Sequence, residues 1–189
     1  MRQALGAKIL ALPTPVWVVG AFDQNGDPNA MTAAWCGVDC SKPPCLGVSL
    51  RAATYTHGCI MARKAFTLNI PSAAQAREVD YFGMASGRDA RKLETAGMTW
   101  SQGSKVDAPC INEFPITVEC RLAHTAELGL HTRFTGEIME VWASQDILDE
   151  QGRPDMALVE PLLYNPGTRL YAKAGDAVGS AFSIGRDLI

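Results

Sequence analysis

Pro15-Val-Trp-Val-Val-Gly-Ala-Phe22, the turn cluster Asp23-Gln-Asn-Gly26-Asp, and then Asn29-Ala-Met-Thr32-Ala-Ala-Trp35 decide how this 189-residue chain folds. The first segment is rich in β-branched and aromatic residues and reads as a strand that stops at the turn. The second sets small residues around one hydroxyl, one carboxamide and one indole. A backbone of that kind can approach a flat aromatic ligand closely, offering amides to a polar edge and apolar contact to a face. On spacing alone that signal is weak, and the same residues suit a small-residue strand crossing in a barrel core.

Outward from that stretch, residues 30–38 and 45–51 read as further strands, and residues 57–64 show helical spacing after a candidate Thr56 cap. Phe66-Thr-Leu-Asn-Ile70 alternates and stops at Pro71; Ser72 then caps a helix over 72–82. A second short helix is expected over 88–96, ending at Gly97. Residues 116–122 form a period-2 strand with Ile116, Val118, Cys120 and Leu122 on one face. Residues 131–143 make a long strand on which Phe134, Gly136, Ile138 and Glu140 share a face, 151–154 a turn, and 164–171 a loop holding two tyrosines.

Six strands with short helical insertions between them point to one mainly β domain over residues 1–189, a closed or partly closed antiparallel barrel. A doubly wound nucleotide fold would need regular βα alternation and a Gly-rich loop after the first strand, and neither is present.

Composition narrows the function. With 47% hydrophobic and 20% charged residues and a net charge of −3, the chain is an ordinary globule and lacks the basic excess that nucleic acid demands. No apolar run is long enough to span a membrane. Residues 9–22 are apolar but interrupted by Pro13 and Pro15, so they read as a first strand and not as a secretory signal. The expected location is the cytoplasm. Cys36, Cys40, Cys45, Cys59, Cys110 and Cys120 match no zinc or iron–sulfur spacing and read as small hydrophobes. No metal site is expected, and Cys36, beside Trp35, is the thiol of most redox interest.

Two segments offer anion chemistry. Arg51-Ala-Ala-Thr54-Tyr-Thr56-His57 places a guanidinium and two hydroxyls at a helix start; the bland reading is a helix cap beside a solvated strand end. Ser86-Gly-Arg-Asp-Ala-Arg-Lys92 joins a hydroxyl, a flexible glycine and three cations, against the bland reading of a basic turn partly neutralised by Asp89.

The ordered set Asn-x-Met-Thr-x-Ala-Trp, Pro-Pro before a strand, Arg-x-x-Thr-x-Thr, Phe-Thr-Leu-Asn-Ile-Pro, Ser-Gly-Arg-Asp-x-x-Lys and Leu-Gly-x-His-x-x-Phe-x-Gly-Glu runs from Asn29 to Glu137, within a similarity that extends from Lys8 to Gly185. It resembles the flavin reductase-like family of FMN-binding split barrels, and within it the flavoredoxin branch. The resemblance implies a six-stranded antiparallel split β-barrel (Greek key) that forms a homodimer and holds FMN non-covalently near the subunit interface. Asn29, Met31, Thr32, Ala34 and Trp35 would contact the flavin ring and ribityl chain. Arg51, Thr54 and Thr56 would hold the phosphate, Ser86 and Lys92 would close on it, and Asn69 would line the flavin pocket. His131 would face the nicotinamide or partner side. Ala34 stands where many flavin reductases carry Ser or Thr, which removes one hydrogen bond to the flavin but leaves the cofactor expectation intact.

The implied activity is an FMN redox protein that carries electrons to a redox partner or reduces flavin with NAD(P)H. The competing expectations are a haem-binding or flavin-storing module, with His57, His124 and His131 as axial-ligand candidates, and a thiol enzyme using Cys36 or Cys40.

Overall fold

The computed structural model describes residues 1–189. Seven strands make the main sheet: β1 (Trp17–Phe22), β2 (Pro28–Ala33), β3 (Cys36–Ser41), β4 (Pro44–Arg51), β5 (Ala65–Ile70), β6 (Ile116–Leu128) and β7 (His131–Ala143). They lie in the order β2-β1-β5-β6-β7-β4-β3, each neighbouring pair antiparallel. The seventh strand arises because residues 30–38, expected as one strand, break at Ala34 and Trp35 into β2 and β3.

That break closes the barrel. β2 and β3 are the two edges of the sheet, and six spacings of ~4.8 Å would hold them roughly 29 Å apart if the sheet were flat. The chain passes from Ala33 to Cys36 in three residue steps, a reach of at most ~11 Å. The sheet must therefore roll until its edges meet at Ala34–Trp35, leaving a seam there. Ser49 in β4 donates its amide to the Trp35 carbonyl at 2.9 Å and fastens the seam from one side.

The barrel interior holds Val19, Leu46, Val48, Phe66, Leu68 and Phe134 among a cluster of 13 buried residues. A second core forms outside the wall, where Val16, Val18 and Ala30 meet Val79, Phe82, Leu93 and Phe114. β1 is thus buried on both faces, which explains its continuous apolar run.

Helix α1 (Tyr55–Arg63) starts two residues earlier than expected, with Thr54 and not Thr56 at the cap position. Ser72 forms a capping box with Gln75, opening a 3₁₀ turn that leads into α2 (Ala76–Met84). The helix expected over 88–96 shrinks to α3 (Lys92–Thr95), because the Ser86 hydroxyl accepts the Arg88 amide and holds that segment as a turn. Gly97, at φ +67, does end it.

Two further expectations are corrected. A bulge between Ile138 and Glu140 shifts β7 by one residue, so Glu140 lies opposite Glu119 on the outer face and leaves the face of Phe134, Gly136 and Ile138. The segment 164–171 is no open loop: Leu162–Asn165 and Leu170–Lys173 pair as a hairpin and join Thr14–Pro15 in a small side sheet. Asn165 accepts the Gly167 amide in that turn at 2.9 Å.

Candidate functional site

The start of α1 carries amides with no helical partner. Thr54 supplies no side-chain cap; its hydroxyl donates instead to the Arg51 carbonyl at 2.8 Å. The first amides of α1 therefore open, with the positive end of the helix dipole, onto a cavity of about 240 Å³. Thr54, Thr56 and Met31 line one side, and Ser86, Gly87 and Lys92 line the other. The two cationic-hydroxyl segments, some 30 residues apart in the chain, thus share one wall-to-wall space.

Arg88 ties the walls together. Its guanidinium donates to the Ala53 carbonyl at 3.2 Å and sits 5.5 Å from the centre of the Tyr55 ring. Tyr55 in turn donates to Asp23 at 2.8 Å. Burial pushes the Asp23 carboxyl up, but the Tyr55 hydroxyl and the amides of Asp27, Asn25 and Gly26 outweigh it and hold the group below the usual carboxylate range. Bonding to that carboxylate, together with burial, raises Tyr55 to about 12.

Lys92 is the chemical centre of the cavity. Only 3% of it is exposed, and its ammonium donates to two carbonyls, Phe82 at 3.1 Å and Ala85 at 3.0 Å. No carboxylate pairs with it. Burial pulls it down to about 8, with Cys59 acting weakly in the other direction. A buried cation held only by dipoles is a site that favours an anion.

Asn29, in β2, lines a neighbouring recess with Asp23, Tyr55, Gly87 and Arg88. It donates to the Thr56 hydroxyl at 2.7 Å, and its Oδ1 is a buried acceptor with no partner. A Cβ at Gly87 would fall 2.2 Å from that oxygen and 2.6 Å from the Tyr55 ring, so the loop passes here only as glycine.

Of the residues expected to act together, Met31, Thr54, Thr56, Ser86 and Lys92 converge on the cavity, and Asn29 stands behind Thr56. Arg51 does not line it: its side chain is exposed at the end of β4, and only its carbonyl serves the site through Thr54. His131 stands directly across the β4–β7 ladder from Arg51, on the same face of the sheet. Thr32 is tied to α2 through a hydroxyl bond to the Val79 carbonyl. Ala34 and Trp35 sit at the seam, where Arg133 donates to the Trp35 carbonyl at 3.3 Å and also pairs with Asp39.

Asn69 is engaged elsewhere. Its amide bonds Val18, Thr67, Ile111 and Thr117 inside the wall, which uses its capacity in holding strands together. Of the other histidines, His57 donates to the Thr132 hydroxyl at 2.9 Å and stacks edge-on against Phe134. Thr132 donates in turn to Glu127, so this is a closed chain of bonds within the fold. Sequence reasoning missed Tyr55 as a site residue, the aromatic between two threonines being the available signal, and read Arg88 only as one of three cations in its segment.

A second recess of about 330 Å³ surrounds Glu119. That carboxylate already accepts from the amides of Ser104, Lys105 and Val106, the Ser104 hydroxyl and the Trp142 indole. It has no lone pair left for a ligand.

Known proteins share this architecture and much of this sequence. Residues 9–172 match the model of the flavin reductase like domain. The flavoredoxin of Desulfovibrio vulgaris (Miyazaki F) is 45% identical, superposes with a TM-score of 0.95, and aligns over 98% of this chain and 100% of its own. The flavoredoxin from Methanosarcina acetivorans is 29% identical at a TM-score of 0.94, with both chains covered in full. An NADPH-flavin oxidoreductase of Streptomyces viridifaciens is 29% identical over 78% of this chain and 71% of its own length.

Proposed function

The chain belongs to the flavin reductase-like family, within its flavoredoxin branch, and from that membership we propose that it is an FMN protein that carries electrons between redox partners. Flavin binding follows from the family; FMN as the particular flavin, and the carrier role, are inferred from the site. The observation that carries the inference is Lys92, a buried ammonium without a counter-charge beside uncapped helix amides. That arrangement fits one terminal phosphate monoester.

Lys92, the α1 amides, Thr54 and Ser86 would hold the phosphate, with Arg88 keeping the two walls in register. Asn29 and Met31 continue from the cavity along β2 towards the seam, and Thr32, Ala34 and Trp35 extend the same line. The Asn29 amide would hold the Thr56 hydroxyl in place at the edge of that cavity. When bound, the flavin supplies the electron chemistry; the chain binds it, orients it and limits water. His131, beside Arg51, is assigned to the partner side. The flavin oxidoreductase relative keeps NAD(P)H in view as a donor, but similarity along the full length to a flavoredoxin favours the carrier.

No helix is long and apolar enough to cross a membrane, and we place the protein in the cytoplasm. Phe182, Ile184, Leu188 and Ile189 of the exposed C-terminal segment, with Leu128 and Leu130 of the β6–β7 turn, offer apolar surface for a homodimer. Light scattering measures that directly. For the function itself, purified protein should show flavin absorption and retain one FMN per chain. A colourless protein that takes up no added FMN refutes the assignment. NADH or NADPH added anaerobically should leave a carrier's flavin oxidised on the timescale of turnover; rapid bleaching makes it a reductase instead.

A further inference from the structure

The β3–β4 hairpin carries chemistry that the cavity does not use. Val38 pairs with Leu46, and continued register would set Asp39 against Cys45 and Cys40 against Pro44. A bulge between Val38 and Cys40 removes one step, so Cys40 comes to lie directly opposite Cys45, one pair before the hairpin turn. Residues opposed in an antiparallel ladder project to the same face with Cα atoms ~4.5–5.5 Å apart. A disulfide requires Cα atoms about 4.4–6.8 Å apart.

The two thiols differ in access. Cys40 is exposed, and its Sγ makes one long contact, 3.4 Å to the Lys42 carbonyl. Cys45 lies beneath the surface with 6% exposure. The other four thiols lack either feature: Cys36 and Cys120 are pushed by burial up to about 12, Cys59 and Cys110 to about 11, and none of them has a cysteine opposite it in the ladders.

We infer that Cys40 and Cys45 form a dithiol redox site whose substrate class is the soluble small-molecule disulfide. The Cys40 thiolate attacks one sulfur of R–S–S–R; the S–S bond breaks, a mixed disulfide forms on Cys40, and R–S⁻ leaves to take a proton. Cys45 loses its proton to solvent and attacks the Cys40 sulfur, forming the Cys40–Cys45 bond and expelling the second R–S⁻. Two protein thiols are oxidised by two electrons, and one disulfide is reduced to two thiols. Burial above all, with lesser contributions from Cys40, Glu137 and Asp39, holds the Cys45 thiol above its ordinary range. The product staples the hairpin whose bulge residue, Asp39, pairs with Arg133 and through it reaches the Trp35 carbonyl.

The test incubates the purified, flavin-loaded protein with oxidised glutathione, then unfolds it, alkylates it and weighs it. All six cysteines are free at the start. The expected product takes up two fewer alkyl groups, is lighter by two hydrogens before alkylation, carries no glutathione, and resists fragmentation between residues 40 and 45. Dithiothreitol should reverse it. Cys40→Ser should abolish the product, and Cys45→Ala should trap glutathione on Cys40. The proposal is overturned by a stable glutathione adduct on the unaltered chain, by six thiols remaining after equilibration, or by a bond joining other cysteines or two copies.

Discussion

Replacing Lys92 by methionine keeps the apolar stem and its packing but deletes the ammonium. In the assigned role this removes one charge-assisted contact to phosphate, about 1.5–3 kcal/mol, which is roughly 10- to 150-fold in affinity. The same change should not destabilise the flavin-free protein. The buried ammonium titrates near 8 instead of at its ordinary 10.5, which costs the folded state on the order of 3 kcal/mol at neutral pH. Loss of donors to the Phe82 and Ala85 carbonyls gives back about 1 kcal/mol each. Folding and binding should therefore move in opposite directions. The sign with pH follows from proton counting: between the folded value near 8 and the unfolded 10.5, the unfolded chain holds more protons, so stability of the flavin-free protein rises across that window. Flavin affinity falls over the same range, because only the charged amine attracts phosphate; between pH 7 and 9 it should weaken about tenfold. Fluorescence titration of FMN at both pH values, with thermal melts of the flavin-free forms, reads all of this. If Lys92→Met binds FMN within twofold of the unaltered protein at pH 7, or if the unaltered protein binds equally at pH 7 and 9, the reasoning fails.

Gly87→Ala forces a methyl onto Asn29 and Tyr55 at distances where neither can yield freely; it should cost about 1–3 kcal/mol in urea denaturation and weaken FMN binding in parallel. Asn69→Ala breaks a buried four-bond network and should lose about 2–4 kcal/mol of stability. FMN affinity of its folded fraction should stay within about twofold, and a selective loss of binding would return Asn69 to the flavin pocket. Burial pushes the Glu119 carboxyl up, but the Lys105 and Ser104 amides, the Trp142 indole and the Ser104 hydroxyl together hold it below the ordinary range. Its contribution is present above the unfolded carboxylate range and is lost as pH falls through the folded value. Glu119→Gln should therefore flatten the acid limb of a stability–pH profile, and an unchanged limb would refute that.

Local patterning makes much of the barrel wall legible in the residues themselves. The strand over 131–143 keeps the ends expected of it, because a turn at Gly129 and a period of two up to Ile138 mark its course. The Phe66–Ile70 strand and the Ser72 cap are readable for similar reasons, with Pro71 between them. The features that patterning misses are governed by contacts remote in sequence. The bend at Ala34–Trp35 looks like continued strand, since small apolar residues carry no turn signal; only the need to join opposite sheet edges reveals it. The bulge before Glu140 is set by its partner strand, and no residue type announces it. At the site, hydroxyls and cations are visible as segments, Lys92 among them, but its burial without a counter-charge is not, since lysine is rarely enclosed. Asn69 shows the converse: a family position assigned to the cofactor is, in this geometry, a rivet between strands.

The dipeptide that joins β2 to β3 also acts as a belt buckle. Ladder bonds set the spacing of neighbouring strands, but the girth of the barrel is limited by how far three peptide units can stretch. Adding residues there would let the wall slacken without breaking any ladder bond, whereas deleting one would pinch it. The Ser49 amide and the Arg133 guanidinium both fasten to the Trp35 carbonyl in that clasp, so a strain applied at either rim is felt at the same few atoms.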